Sequence, residues 1–185
     1  MKIAVFGKMR SGKDTVGAIL IDEYNFIRFA FGDGIGKIIQ EYFPEDWAKG
    51  KPRKHYQHIG QQLRELNPDV WIDYLLRTVE KYEGNCSLLG QCPKNIIVTD
   101  GRQKNEAEKL KAQGYTIIKI VADEKKRIER IIASGDKFKY EQLFHETELQ
   151  VDEIEADYVI YNNGSFKELK DNVQKIINEL QGGGA

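Results

Sequence analysis

The sequence predicts a three-layer α/β sandwich, a parallel five-stranded sheet covered on both faces by helices. Two observations carry this expectation. Short apolar runs suited to buried strands alternate with stretches of helical periodicity, the pattern of successive strand-helix-strand crossovers. The first run, Ile3-Ala4-Val5-Phe6, leads straight into Gly7-Lys8-Met9-Arg10-Ser11-Gly12-Lys13-Asp14-Thr15, and a helical pattern follows. Two glycines five apart, with lysine directly behind, let the backbone N–H groups of a loop converge on one point, where the next helix presents its positive end. A polyphosphate tail suits such a loop, so the sandwich is expected to be of the P-loop NTPase type.

The usual motif, G-x-x-x-x-G-K-[ST], gives lysine to the outer phosphates and the hydroxyl to magnesium. Here Asp14 holds the hydroxyl position and Thr15 supplies a hydroxyl one residue late, so the identity of the metal ligand is open. Val16, Ile19, Leu20 and Tyr24 recur at helical spacing and predict a helix over 14–23. A second strand is expected over 27–31, ending at Gly32-Asp33-Gly34. Ligands sit beyond the carboxyl ends of strands in such sheets, which puts Asp33 either at the chemistry or at the cap of the next helix.

That helix carries Ile35, Ile38, Ile39, Tyr42 and Phe43; residues 44–54 then break the pattern, and helices are predicted near 56–66 and 68–82, the second with Pro68 in its first turn after Asn67. Arg53, Gln57, Arg64 and Trp71 in this all-helical stretch are planar donors and an aromatic able to clamp a phosphate and a base, although Trp71 equally suits core packing. Residues 84–94 read as a loop. The continuous apolar run of 95–99 is a buried strand ending in Asp100-Gly101-Arg102, an acid placed to hold magnesium through water and an arginine able to fork onto phosphate.

A helix over 104–113 stops at Gly114, and 115–121 is the fourth strand. On the helix over 124–134, Arg127 and Arg130 lie three apart beside the apolar side of Ile128, Ile131 and Ile132, facing either a phosphoryl group or solvent. Residues 135–150 are polar and read as a covering lid; His145 there has no partner at metal-ligand spacing. Residues 157–161 form the fifth strand. Ser165 and Glu168 then make a capping box before a last helix burying Phe166, Leu169, Val173, Ile176, Ile177 and Leu180.

With 185 residues, of which 41% are hydrophobic, one domain spanning 1–185 is expected, with a helical insertion over about 33–94 and a lid over about 135–150. A formal net charge of −1 gives no basic field for stable nucleic-acid binding, despite the local cluster Lys49-Gly50-Lys51-Pro52-Arg53-Lys54. No run approaches the roughly 20 apolar residues of a membrane span and no leader precedes the first strand, so a cytoplasmic location without membrane contact is expected. Cys86 and Cys92 have neither redox nor metal spacing and are expected to be reduced thiols.

Five stretches together resemble the phage and bacterial deoxynucleoside monophosphate kinases of the P-loop nucleoside monophosphate kinase group. They are the loop ending Gly12-Lys13-Asp14-Thr15, Phe29-Ala30-Phe31-Gly32-Asp33, Arg53 through Gln57, Gly60 and Arg64 to Trp71, Thr99-Asp100-Gly101-Arg102 with Asn105-Glu106, and His145 through Glu148 to Asp157-Tyr158-Val159-Ile160. The aspartate after the loop lysine is familiar in that family and in the similar phosphomevalonate kinases. The resemblance implies transfer of the ATP γ-phosphoryl group to a (deoxy)nucleoside monophosphate, with ATP and Mg2+ required and small-molecule nucleotides as partners. It implies that Gly7, Arg10, Ser11, Gly12, Lys13, Asp14 and Thr15 bind ATP, with Asp14, Thr15 and Asp100 toward the metal. Asp33, Lys37, Arg53, Gln57, Gly60, Arg64, Trp71 and Arg102 would bind the acceptor, and Lys13, Asp33, Asp100, Arg102, Arg127 and Arg130 would serve the chemistry. A phosphomevalonate or dephospho-coenzyme A type kinase, or a non-catalytic ATP-binding protein, would keep the same loop. Base preference stays open at this stage, as does the choice between monomer and homodimer.

Overall fold

The structure, a computed structural model, describes residues 1–135 and 150–182. Five strands, β1 (Lys2–Phe6), β2 (Phe26–Phe29), β3 (Asn95–Gly101), β4 (Thr116–Val121) and β5 (Tyr158–Tyr161), lie in the order β2-β3-β1-β4-β5 as an all-parallel sheet flanked by helices. The expected sandwich is therefore present. The lid expected over 135–150, with His145, falls almost wholly outside the described residues.

The chain forms two compact units, one from residues 1–28 and from 95 onward, the other Phe29–Lys94. In the first, the central strands alternate between two buried faces, as covered parallel strands must. Ile3, Val5, Ile97, Ile118, Ile120 and Ile160 pack with Val16, Ile19 and Leu20 of α1 (Lys13–Tyr24), and with Leu169, Val173, Ile176 and Ile177 of the last helix. The opposite face buries Ala4, Ile96, Val98 and Ile117, with Ala107 and Leu110 of a further helix that contacts β1 and β4. Each large side chain so buried contributes about 1.5–3 kcal/mol against leaving it exposed. The register Phe6↔Gly101 brings the tips of β1 and β3 side by side. An added Cβ on Gly101 would lie 2.5 Å from the Phe6 ring, so no other residue fits that tip without displacement.

In the second unit, α2 (Gly32–Tyr42), α3 (Pro44–Ala48), α4 (Arg53–Leu66) and α5 (Val70–Leu88) pack on one another. Several boundaries differ from the sequence expectation. β2 ends at Phe29 and α2 starts at Gly32, so Asp33 lies in a helical first turn and not in a strand-end loop. α5 runs through Gly84 to Leu88 because its terminator is Gly90, at φ 64°, whose N–H reaches Ser87 O at 3.0 Å. α5 starts at Val70, with Asp69 in the cap position, and not at Pro68 after Asn67 as expected; Asn67 instead ends α4 and its side chain accepts from Asp69 N at 3.0 Å in the turn between the two helices. Cys86 is buried and Cys92 exposed, both as free thiols.

The remaining helices, α6 (Lys104–Ala112), α7 (Glu124–Ala133) and α8 (Phe166–Gly182), belong to the first unit. α8 opens with the expected reciprocal cap: Ser165 N donates to Glu168 Oε2 at 3.2 Å and Glu168 N to Ser165 Oγ at 3.2 Å. Among the described residues no helix is long and apolar enough to cross a membrane.

Candidate active site

The carbonyls of the loop between β1 and α1 are all engaged, one of them by a loop amide, since Ser11 N donates to Lys8 O at 3.1 Å. Lys13 Nζ donates to Gly7 O at 2.6 Å and to Lys8 O at 3.0 Å. Arg127 Nη1 donates to Met9 O at 3.3 Å, and Arg130 Nη1 to Arg10 O at 3.2 Å and Ser11 O at 3.3 Å. Asn162 Nδ2 also donates to Ser11 O, at 2.8 Å, while Gly12 O accepts the first helical bond, from Val16 N at 3.0 Å. A peptide whose carbonyl is held on one side presents its N–H on the other, which is what an anion cradle requires.

Two further features fit a polyphosphate. Gly12, at φ 111°, takes a left-handed conformation that L side chains avoid, and an added Cβ there would lie 2.2 Å from Asn162 Nδ2. Ser11 Oγ is fully buried with no hydrogen-bond partner among the described residues, and an added Cβ on Gly7 would come within 2.5 Å of it. Lys13 is itself buried, its ammonium resting on the loop's own carbonyls. Asp14 is exposed in the first turn of α1, Thr15 half-buried beside it, and Asp100 half-buried at the tip of β3. The described residues hold no cluster of three metal-ligating side chains. Magnesium takes one or two carboxylates with substrate phosphates, and Asp14, Thr15 and Asp100 offer the side-chain oxygens that would hold it.

Arg102 follows the β3 tip, and its backbone is fixed: buried Glu106 accepts from Arg102 N at 2.9 Å and from Gln103 N at 3.0 Å. Arg127 and Arg130, expected to face either a phosphoryl group or solvent, donate to carbonyls of the phosphate loop, and Arg130 Nη2 also donates to Asn162 O at 2.8 Å. Asn162 is a residue that the sequence did not single out. The available signal was its place just past the carboxyl end of β5, the edge where such sheets bind ligands.

The helical unit collects the residues expected for the acceptor. Arg53, Gln57, Gly60 and Arg64 are spaced four, three and four apart, hence in one stripe along α4, with Arg53 and Gln57 exposed and Arg64 half-buried. Gly60 lets α4 approach α2, since an added Cβ would lie 3.1 Å from Ile35 Cδ1. Trp71 is 3% exposed and donates Nε1 to Gly60 O at 3.1 Å, the packing role left open by the sequence; its ring offers no face to a base. Asp33 Oδ2 reaches back from the first turn of α2 to accept from Ala30 N at 3.0 Å, and the cap position itself is taken by Phe31. Lys37 lies exposed with Nζ 5.5 Å from the Tyr74 ring centre. A hydrogen bond to Tyr74, then that group's charge, raise its pKa against a small opposing desolvation, with Asp33 helping, so it remains a cation at neutral pH.

Comparison with known proteins places this geometry. The family model of AAA_18, an AAA domain, matches residues 3–159. The chain belongs to that AAA-domain family. Within reach of this AAA domain is a protein of Acanthamoeba polyphaga mimivirus named "Putative deoxynucleotide monophosphate kinase", 27% identical over 188 residues and covering 90% of each chain. Among solved structures, TT1252 from Thermus thermophilus superposes with a TM-score of 0.63 at 18% identity, over 97% of both chains. Shikimate kinase from Acinetobacter baumannii gives 0.59 at 17%, over 99% of this chain and 94% of that one. Dephospho-CoA kinase from Campylobacter jejuni gives 0.53 at 16% over the full length of both. At such identities the structural likenesses establish the P-loop kinase fold for this AAA domain.

Proposed function

We propose that the protein is an ATP-dependent kinase that moves the γ-phosphoryl group onto a (deoxy)nucleoside monophosphate, giving the diphosphate. The observation that carries this is the cradle, with its carbonyls from Gly7 to Ser11 all engaged and Lys13 beside them. The mimivirus relative's name supports the acceptor class. In the reaction an acceptor phosphate oxygen bonds to the γ-phosphorus while the bond from the γ-phosphorus to the β,γ-bridging oxygen breaks, and ADP departs with that electron pair.

A phosphate monoester is mostly dianionic at neutral pH, its second pKa being about 6, so the attacking oxygen needs no general base. Catalysis then rests on positioning and on charge, as phosphoryl transfer generally does. Lys13 leaves its loop carbonyls to neutralise the β and γ oxygens. Arg102, on a backbone fixed by Glu106, would offer its fork to a phosphate. Within the helical unit, the α4 stripe of Arg53, Gln57 and Arg64, with Lys37, carries the donors that the nucleotide-kinase reading assigns to the acceptor. Asp33, bonded back to Ala30 N, shapes the start of α2. Magnesium supplies charge neutralisation on the phosphates when bound.

ADP release measured with each common NMP and dNMP tests the reading. Turnover is expected with one or a few of them. ATP binding without ADP release on any monophosphate would exclude it and leave a kinase for another small molecule or a non-catalytic ATP-binding protein.

A further inference from the structure

We infer that Asn162 is a positioning residue for the phosphate loop, acting on bound phosphates through the Ser11 carbonyl. This rests on the kinase reading only in taking the loop's ligand to be a polyphosphate. Two of the loop's carbonyl donors, Arg127 and Arg130, come from α7, and Lys13 is its own. Asn162 is the contribution of β5, the far edge of the sheet.

Its carboxamide is turned with Nδ2 on the Ser11 carbonyl. The backbone of Asn162 is held on both sides, its N–H donating to Val121 O at 2.7 Å and its carbonyl accepting from Arg130 Nη2 at 2.8 Å. The side chain is 94% buried by its 6% exposure, and Nδ2 occupies the space that a side chain on Gly12 would need. The Ser11 carbonyl, which the peptide plane ties to the Gly12 N–H, is therefore turned toward β5. That leaves the Gly12 amide facing the cradle. An acceptor-only group at 162 would repel the Ser11 carbonyl, and a group with no donor would leave that carbonyl with only the longer, 3.3 Å bond from Arg130 Nη1.

The inference makes a demand that simple packing would not. If Asn162 acts by aiming the Gly12 amide, its loss must weaken every ligand that presents phosphates to the loop, with or without a base. Binding of a non-hydrolysable ATP analogue and of inorganic tripolyphosphate, measured by titration calorimetry on wild type, Asn162→Asp and Asn162→Ala, tests this. Folding is checked by circular dichroism; Asn162→Ala supplies the same comparison if the aspartate variant does not fold. We expect both ligands to bind at least about tenfold more weakly to the folded variants, by the same factor for each, with acceptor monophosphate affinity unchanged. Equal ATP-analogue affinity in a folded variant overturns the role, as does a loss for the ATP analogue that tripolyphosphate does not share. A wild type that binds neither ligand overturns the kinase reading and this inference together.

Discussion

Lys13 shows how one side chain can have two sets of partners. Its ammonium lies on the carbonyls of Gly7 and Lys8, so in Lys13→Met the loop loses two hydrogen bonds and the reaction loses its mobile cation. Removing one such preorganised charge costs about 2.7–4 kcal/mol in the barrier, so kcat should fall by about a hundredfold or more. Steady-state kinetics on a variant shown to be folded would check this, and near-normal turnover would contradict the mechanism. Arg102→Lys keeps charge but loses the fork, so kcat/KM for the acceptor should drop by about tenfold while ATP affinity holds. A fall in ATP affinity alone would assign Arg102 to the other substrate. The two glycines and lysine were legible at this scale because their spacing is local. Asn162 and the bonds of Arg127 and Arg130 to the loop were not, since each depends on contacts more than a hundred residues away in the chain.

Among the elements, strands and helices could be read wherever periodicity ran unbroken, and boundaries shifted where competing signals stood close together. Gly84 looked like the end of α5, but a helix tolerates one glycine at about 1 kcal/mol, and the left-handed residue that stops it is Gly90. The joint between β4 and β5 was hidden in the sequence for another reason: Asp157 reads as a strand residue but acts as a clasp. Its backbone N–H donates to Ile117 O at 2.9 Å, its Oδ2 accepts from Ile117 N at 2.8 Å, and its Oδ1 lies 2.8 Å from Lys111 Nζ on α6. Burial alone would raise its pKa, but the Lys111 bond, the Ile117 amide and the Lys111 charge together bring it below the ordinary value. The clasp therefore stabilises the fold above the unfolded pKa near 4 and is lost as pH falls through the lower folded value. Asp157→Asn should cost about 1 kcal/mol at pH 7, discounted for a carboxylate that is a third exposed, and urea melts should show the gap from wild type closing below pH 4. A gap that persists at pH 2 would show that shape and not charge is what Asp157 contributes.

At the scale of the molecule, Phe29–Lys94 has its own buried centre, in which Trp71 packs at 3% exposure with Ile72, Leu75 and Ile39 also covered. Trp71→Ala should remove about 3–5 kcal/mol from that centre. Hydrogen exchange should then speed up across 29–94 while the amides of β1, β3 and β4 keep their protection. Equal loss in both units would mean that they open as one. Excess ATP should stabilise wild type by mass action and do so far less in Lys13→Met, which a pair of thermal melts would show. The bonds to the loop's carbonyls bear on how freely the sequence can drift. Because α7 and the end of β5 grip main-chain carbonyls of Met9, Arg10 and Ser11, the side chain at 9 can change without loosening the grip, whereas Arg10 Nη2 itself donates to Ser134 Oγ at 2.9 Å just past α7. Arg10 sits at φ 61°, where valine and isoleucine are least at ease. A saturation library selected for activity should accordingly spread widely at 9, exclude valine and isoleucine at 10, and stay nearly fixed at 12, 13 and 162.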